Sequence, residues 1–224
     1  MIVNGPIALI SDFDGTITAD DFFWYTINEY LEESDLKPWH DYIDRKITHF
    51  QALSRIFGKI RALEEDFNDF IDRFPVEPKF IDTIELCNKK NIEFYIVSAG
   101  CDYYITRILK RIAPKAKYHL ITNKSQYHPD FGLKFIMHDS DYHYYDSNVG
   151  VSKPKVVKDL KERGYYCIFA GDGRPDLPAA KLADIVFARK TLLDLCKEEG
   201  IKTEKFATYE DVYNFVLNLK LIWG

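Results

Sequence analysis

Four short apolar runs limit what this chain can fold into: residues 7–10 (IALI), 94–97 (FYIV), 166–170 (YCIFA) and 185–188 (IVFA). Each has the length of a strand and none alternates, which is the pattern of strands covered on both faces. Segments of helical period lie between them. Residues 154–164 (PKVVKDLKERG) open on proline and close on glycine, matching helix start and stop preferences. Residues 102–114 (DYYITRILKRIAP) open on an aspartate suited to capping and stop at a proline. Strands alternating with helices predict an α/β fold, a mainly parallel sheet flanked by helices and joined by right-handed crossovers.

The stretch from residue 19 to about residue 75 breaks that alternation and has no strand-like run of the same kind. Ile43, Ile47, Phe50, Phe57 and Ile60 fall at helical spacing, as do Phe67, Phe70, Ile71 and Phe74. Both stripes read as helix core faces. The expected organisation is a discontinuous α/β core, residues 1–18 and 78–224, with a helical cap at 19–77. Within the core, residues 118–150 suggest a β-hairpin excursion around a Pro-Asp-Phe-Gly connection, followed by a polar, aromatic loop. His119, His128, His138 and His143 fall in this excursion at spacings that match no standard zinc pattern. Its tyrosines are candidates for a homodimer contact.

At 224 residues with 46% apolar residues, the chain can bury one sizeable core. The net charge of −5 and the scattered lysines and arginines argue against a nucleic-acid partner. Cys87, Cys101, Cys167 and Cys196 form no CxxC pair and read as free thiols in a reducing compartment. The N-terminal MIVNGPIALI lacks a basic region, and no apolar run approaches the roughly 20 residues of a membrane span. A soluble, cytoplasmic protein with no membrane partner is expected.

The first strand runs straight into Asp12 and Asp14, in DFDGT. Buried carboxylates are costly unless paired, and two so close repel when both are ionised. A cation is therefore implied. In open α/β sheets, ligands bind beyond the carboxyl ends of the strands. Ser98 (VSAG) and Asp172 (AGDGRPD) occupy such ends, Asp176 follows four residues on, and Lys153 opens a helix. Hard carboxylate oxygens with few nitrogens suit Mg²⁺ together with phosphate. A carboxylate can also act as the covalent nucleophile of phosphoryl transfer. Gly15, Gly100, Gly171 and Gly173 permit tight turns in which backbone N–H groups approach phosphate.

DFDGT, the serine of VSAG, the lysine of SKP and the acids of GDGRPD resemble, in order, the four motifs of the haloacid dehalogenase superfamily. The resemblance implies a Rossmann-like core, a C1-type helical cap and an Mg²⁺-dependent phosphatase. Asp12 would attack phosphorus, and Asp14 would protonate the leaving alcohol and then activate water. Thr16 would steady the loop. Ser98, Ala99 and Gly100 would bind the phosphoryl oxygens, and Lys153 would offset charge around the nucleophile. The metal set would be Asp12, the Asp14 backbone carbonyl and Asp172, with Asp176 among the ligands or just outside them. The residues DFDGTIT, FYIVSAGCDYYI and AAKLADIVFARKTLLDLCKEEG are similar to a phosphoserine-phosphatase-like group that includes methionine-salvage enol-phosphate phosphatases. SAG replaces the SGG common in the second motif.

The implied substrate is a small phosphorylated metabolite, such as that enol phosphate, phosphoserine or phosphocholine. A phosphotransferase and a non-catalytic phosphate-ligand sensor are the alternatives. Asp20, Asp21, Phe23 and Trp24 follow the first motif, where a leaving group would lie. Arg45, Lys46, Arg55 and Lys59 are open to two readings, contacts for an anionic substrate or a solvated helix face.

Overall fold

The computed structural model describes residues 2–222. Its centre is a six-stranded sheet of β1 (Ile7–Ser11), β2 (Glu93–Cys101), β3 (His119–His128), β4 (Gly132–Ile136), β5 (Tyr166–Gly171) and β6 (Ile185–Ala188), ordered β4-β3-β2-β1-β5-β6. All neighbours are parallel except β3 and β4, which form an antiparallel hairpin. Every residue of β1 is buried, as its unbroken apolar run requires for a strand covered on both faces. Helix α5 (Phe80–Lys89) leads into β2, the 102–114 segment forms α6 (Asp102–Ile112) and the 154–164 segment forms α7 (Lys153–Glu162).

Asp102 differs from its expected role. Cys101 is the N-cap residue of α6, and the Asp102 carboxylate instead accepts a hydrogen bond from Ser125 on β3. The segment after the hairpin is not wholly irregular either. Tyr145–Asp146 and Gly150–Val151 pair as a two-residue antiparallel ladder, and Tyr142 and Tyr144 pack against the core.

Four helices follow β1: α1 (Phe22–Tyr30), α2 (Lys37–Ile43), α3 (His49–Phe57) and α4 (Glu64–Asp72). The chain leaves and returns side by side, because Thr18 bridges Val76 and Glu77 N–H donates to Ile17 O at 2.9 Å. The stripe from Ile43 to Ile60 does not lie on one helix. The chain turns at Arg45, whose φ is +61°, and a capping box between Thr48 and Gln51 starts α3. Ile43 is left exposed, whereas Phe50, Phe57 and Ile60 are buried.

An aromatic cluster fixes these helices to the core. Phe22 stacks on Tyr104 of α6 with ring centroids 3.9 Å apart, and Phe70 and Phe74 also meet Phe22, at 6.0 and 5.2 Å. Truncating a fully buried phenylalanine of this kind costs about 3–5 kcal/mol. Polar ties add direction. Arg107 forks onto Asp72 at 2.9 and 2.6 Å, and Tyr127 OH donates to Ala62 O at 2.9 Å. At the other end Asn148 accepts from the first N–H groups of α3, through Oδ1 from His49 and through its carbonyl from Phe50. The helical insert is thus held over the carboxyl ends of the strands.

Candidate active site

The acids leave the sheet where the parallel strands end. Ser11 is in register with Ile96 and Ala170, and Asp12 N–H donates to Ala170 O at 2.9 Å, so the next turn departs from the rim. Gly15, with φ of +71°, shapes that turn. A Cβ there would lie 2.3 Å from Asp172 Oδ2, which excludes other residues. On β2 the register shifts between Val97, opposite Ile121, and Cys101, opposite Asn123. Two extra residues therefore bulge from β2, and Ser98, Ala99 and Gly100 lie in that bulge. Gly100 allows close approach, since a Cβ would meet Tyr104 OH at 1.9 Å.

One cavity of about 270 Å³ gathers Asp12, Asp14, Ser98, Ala99, Gly100, Lys153, Asp172 and Asp176. Lys153 Nζ donates to Asp12 Oδ1 and to Asp176 Oδ1, both at 2.5 Å, and is only 6% exposed. Thr16 Oγ1 donates to Asp12 Oδ2 at 3.3 Å. Asp14 Oδ2 accepts from Tyr104 OH at 2.6 Å and from Ser98 Oγ at 3.3 Å, while its Oδ1 is buried with no partner. Gly100 N–H donates to Ser98 Oγ at 2.9 Å. Asp176 Oδ2 accepts from the N–H groups of Asp172 and Gly173. Asp176 is thereby held by its own loop and Lys153 rather than spent on capping the short helix α8 (Leu177–Ala180).

The electrostatics reflect surplus negative charge. Burial, reinforced by Asp176, Asp172 and Asp14, pushes Asp12 well above the ordinary carboxylate range despite Lys153. Burial and then Asp21 raise Asp14 to about 7, against the pull of Tyr104 and Ser98. Asp172 is raised by burial and by Asp176. Burial acts against the Lys153 charge, but Asp12 and Asp176 outweigh it and hold the ammonium above its usual range. Oxygens of Asp12, Asp172 and Asp176 lie within 4.8 Å of one another. Such a cluster of hard donors, short of positive charge, fits a divalent cation such as Mg²⁺.

Several side chains at this site escaped the reading of the sequence. Lys190, opening α9 (Lys190–Glu198), reaches Asp172 Oδ2 and Gly15 O, both at 3.2 Å. Arg189 is buried and clamps the first-motif loop, donating to Gly15, Thr16 and Thr18 carbonyls while pairing with Glu77 Oε1 at 2.6 Å. Both follow β6, and ARK in sequence carries no signal that separates them from surface cations. Tyr104 sits in a helical stripe that reads equally well as core.

The wall on the side of the helical insert is formed by Asp21, Phe23, Trp39, His49, Leu53 and Phe57. Asp20 and Trp24 do not line it, and neither do Arg45, Lys46, Arg55 or Lys59. Lys46 pairs with Asp44, and Lys59 with Asp35. Elsewhere, the four cysteines are free and buried. The four histidines of the excursion are engaged separately, His119 with Glu93 and Tyr95, His128 with Asp130, His138 with Thr122 O, and His143 with Asp159.

Residues 9–181 match the family described as haloacid dehalogenase-like hydrolase. The chain belongs to that family. Among curated relatives, this hydrolase is 28% identical over 208 residues to 2-hydroxy-3-keto-5-methylthiopentenyl-1-phosphate phosphatase of Bacillus cereus (strain B4264), covering 92% of this chain and 94% of the relative. It is also 28% identical over 216 residues to the enzyme of that name from Bacillus velezensis, covering 94% and 90%. Its fold is similar to a substrate-bound phosphoserine phosphatase, with a TM-score of 0.67, 18% identity and coverage of 94% of this chain and 98% of that one. A haloacid dehalogenase family hydrolase from Salmonella enterica serovar Typhi gives a TM-score of 0.70 at 18% identity, covering 95% and 72%. No helix among the described residues is long and apolar enough to cross a membrane.

Proposed function

We propose that this hydrolase cleaves phosphate monoesters of a small metabolite by way of a phosphoryl group carried on Asp12. The observation that carries this reading is the convergence of Asp12, Asp14, Ser98, Lys153 and Asp172 on one cavity. Asp12, Asp172 and the Asp14 backbone carbonyl would hold Mg²⁺, with Asp176 beside them. The cation would offset charge on the acids and on the transferring phosphoryl group.

Asp12 attacks phosphorus, so that a carboxylate–phosphorus bond forms as the ester P–O bond breaks. Asp14, through its unpartnered Oδ1, gives its proton to the departing alcohol oxygen. The same carboxylate then accepts a proton from water as water attacks the phosphorus of phosphorylated Asp12. Phosphate leaves and Asp12 is restored. An acid near 7 suits both donation and acceptance at neutral pH. Lys153 orients Asp12 and offsets its charge, while Ser98 with the backbone of Ala99 and Gly100 receives the phosphoryl oxygens.

The helical insert, residues 19–77, acts as a cap that selects the alcohol. Phe23, Trp39, Leu53 and Phe57 on its wall suit a partly apolar leaving group. No lysine or arginine of the insert lines the cavity to receive the carboxylate of phosphoserine. The favoured substrate is therefore an enol phosphate of the kind named for the Bacillus relatives. The free, buried cysteines support a reducing, cytoplasmic setting. Phosphate release from an ester panel, with and without Mg²⁺ and with Asp12→Asn, tests the reading. Metal-dependent release lost in the variant is expected, and ordinary turnover by Asp12→Asn contradicts it.

A further inference from the structure

Two buried polar atoms of the cavity wall have no hydrogen-bond partner, Asp14 Oδ1 and His49 Nδ1, and the proposed reaction uses only the first. The acids of the core side all have partners: Asp12 with Lys153 and Thr16, Asp14 with Tyr104 and Ser98, Asp172 with Lys190, and Asp176 with Lys153 and two N–H groups. On the cap side Asp21 is committed as the N-cap of α1, accepting from Phe23 N–H at 2.8 Å. His49 Nδ1 is shut off from solvent and has no hydrogen-bond partner. A buried polar atom left unpaired costs about 1–3 kcal/mol, so its retention in a cavity wall points to a partner supplied by a ligand.

The surroundings of the ring define that partner. Trp39 and Tyr42 hold the imidazole edge-on, with centroids 6.1 and 5.2 Å away. Its backbone is pinned, since His49 N–H donates to Asn148 Oδ1 at 3.2 Å and Phe50 N–H to Asn148 O at 2.8 Å. Helix α3 therefore presents the ring from a fixed point tied to the core. Burial and the Lys153 ammonium lower the ring to about 4, so it is neutral wherever Asp12 and Lys153 are paired near neutral pH. A neutral imidazole offers one donor and one acceptor and carries no charge to balance an anion. Phe23, Leu53 and Phe57 complete an apolar wall around it.

We infer that His49 is the specificity-determining residue by which the cap reads the alcohol half of the ester, through a hydrogen bond to an uncharged hydroxyl or carbonyl. This rests on the phosphatase reading of the same cavity. A site built to hydrogen-bond a hydroxyl or carbonyl discriminates strongly against the analogue lacking it, because the buried polar atom stays unpaired. Anionic alcohols would find no counter-charge in a neutral ring set in an apolar wall.

The experiment measures kcat/KM of the Mg²⁺-loaded enzyme for short alkyl phosphates, each paired with its hydroxy- or keto-substituted analogue, with phosphoserine and p-nitrophenyl phosphate alongside. The wild type is expected to prefer at least one substituted ester by about tenfold or more over its plain partner, and to prefer it over phosphoserine. His49→Leu should erase that preference, read as the ratio of kcat/KM within each pair so that any general loss shared with p-nitrophenyl phosphate cancels. His49→Gln, which keeps a donor and an acceptor, should restore part of it. A preference unchanged in His49→Leu, or a wild type that favours phosphoserine, overturns the inference. Loss of p-nitrophenyl phosphate turnover in the wild type would instead strike at the phosphatase reading, so the two failures are distinguishable.

Discussion

Lys153 places its ammonium 2.5 Å from Asp12 Oδ1, joining two buried side chains 141 positions apart in the chain. The same nitrogen meets Asp176 at 2.5 Å, so one cation holds two buried carboxylates. Removing one member of a buried ion pair strands the others, at a cost of about 3–5 kcal/mol. Lys153→Met is therefore expected to lower the melting temperature by several degrees and turnover by about a hundredfold or more. Part of the melting temperature should return with added Mg²⁺. A thermal melt of the metal-free variant that matches the wild type contradicts this pairing.

The raised acids make a prediction about pH. Asp14 is shifted to about 7, and Asp12 and Asp172 also move up, through burial first and then mutual repulsion. A folded-state acid with a raised value keeps its proton after the unfolded chain has released it. Through Asp14, stability of the metal-free protein therefore falls as pH climbs from about 4 to about 7, and Asp12 and Asp172 add losses in the same direction. A bound cation relieves the penalty by favouring the ionised acids. Melts at about pH 5 and about pH 8 should show a larger Mg²⁺-induced rise at the higher pH. An equal or larger rise at the lower pH contradicts the account.

Tyr104 governs which oxygen of Asp14 is available. Its hydroxyl holds Oδ2 at 2.6 Å, which leaves Oδ1 as the atom proposed to serve the departing alcohol. Tyr104→Phe keeps the stack on Phe22 but loses a hydrogen bond to a charged group, worth about 1.5–3 kcal/mol. kcat/KM for alkyl phosphates, whose alcohols need a proton, should drop about tenfold or more. kcat/KM for p-nitrophenyl phosphate, whose phenolate leaves unaided, should be much less affected. Equal losses of kcat/KM on both esters would show that the tyrosine does not act on the proton given to the alcohol.

Arg189 is the strut of the first-motif loop. It is buried, pairs with Glu77 and donates to the carbonyls of Gly15, Thr16, Thr18 and Ala207. Lysine cannot reproduce that planar fork. Arg189→Lys is expected to cost about 2–4 kcal/mol in urea unfolding and to weaken Mg²⁺ binding, because Gly15 and Asp172 lose their mutual placement. Unchanged unfolding would show that the loop stands without the clamp.

How far the sequence reveals this molecule depends on whether a residue is read through its own strand or through a distant one. The apolar runs of β1, β5 and β6 announce themselves because burial on both faces forbids alternation. Asp12, Ser98, Lys153 and Asp172 are legible because each follows such a run or opens a helix. Residues whose role depends on tertiary approach are not. Tyr104 meets Asp14 across 90 positions, and Arg189 meets Glu77 across 112. Nor does helical spacing reveal where a helix stops. Ile43 and Phe50 fit one stripe, yet a left-handed residue at Arg45 separates them into two helices.

The most direct measurement is rapid acid quench of Asp14→Asn during p-nitrophenyl phosphate turnover, followed by peptide mass analysis. With a leaving group that needs no proton and no base to activate water, the phosphoryl group should accumulate on Asp12 and on no other residue. Phosphate released by the wild type while Asp12 stays unmodified at every quench time, or a phosphoryl group found elsewhere, would contradict the account.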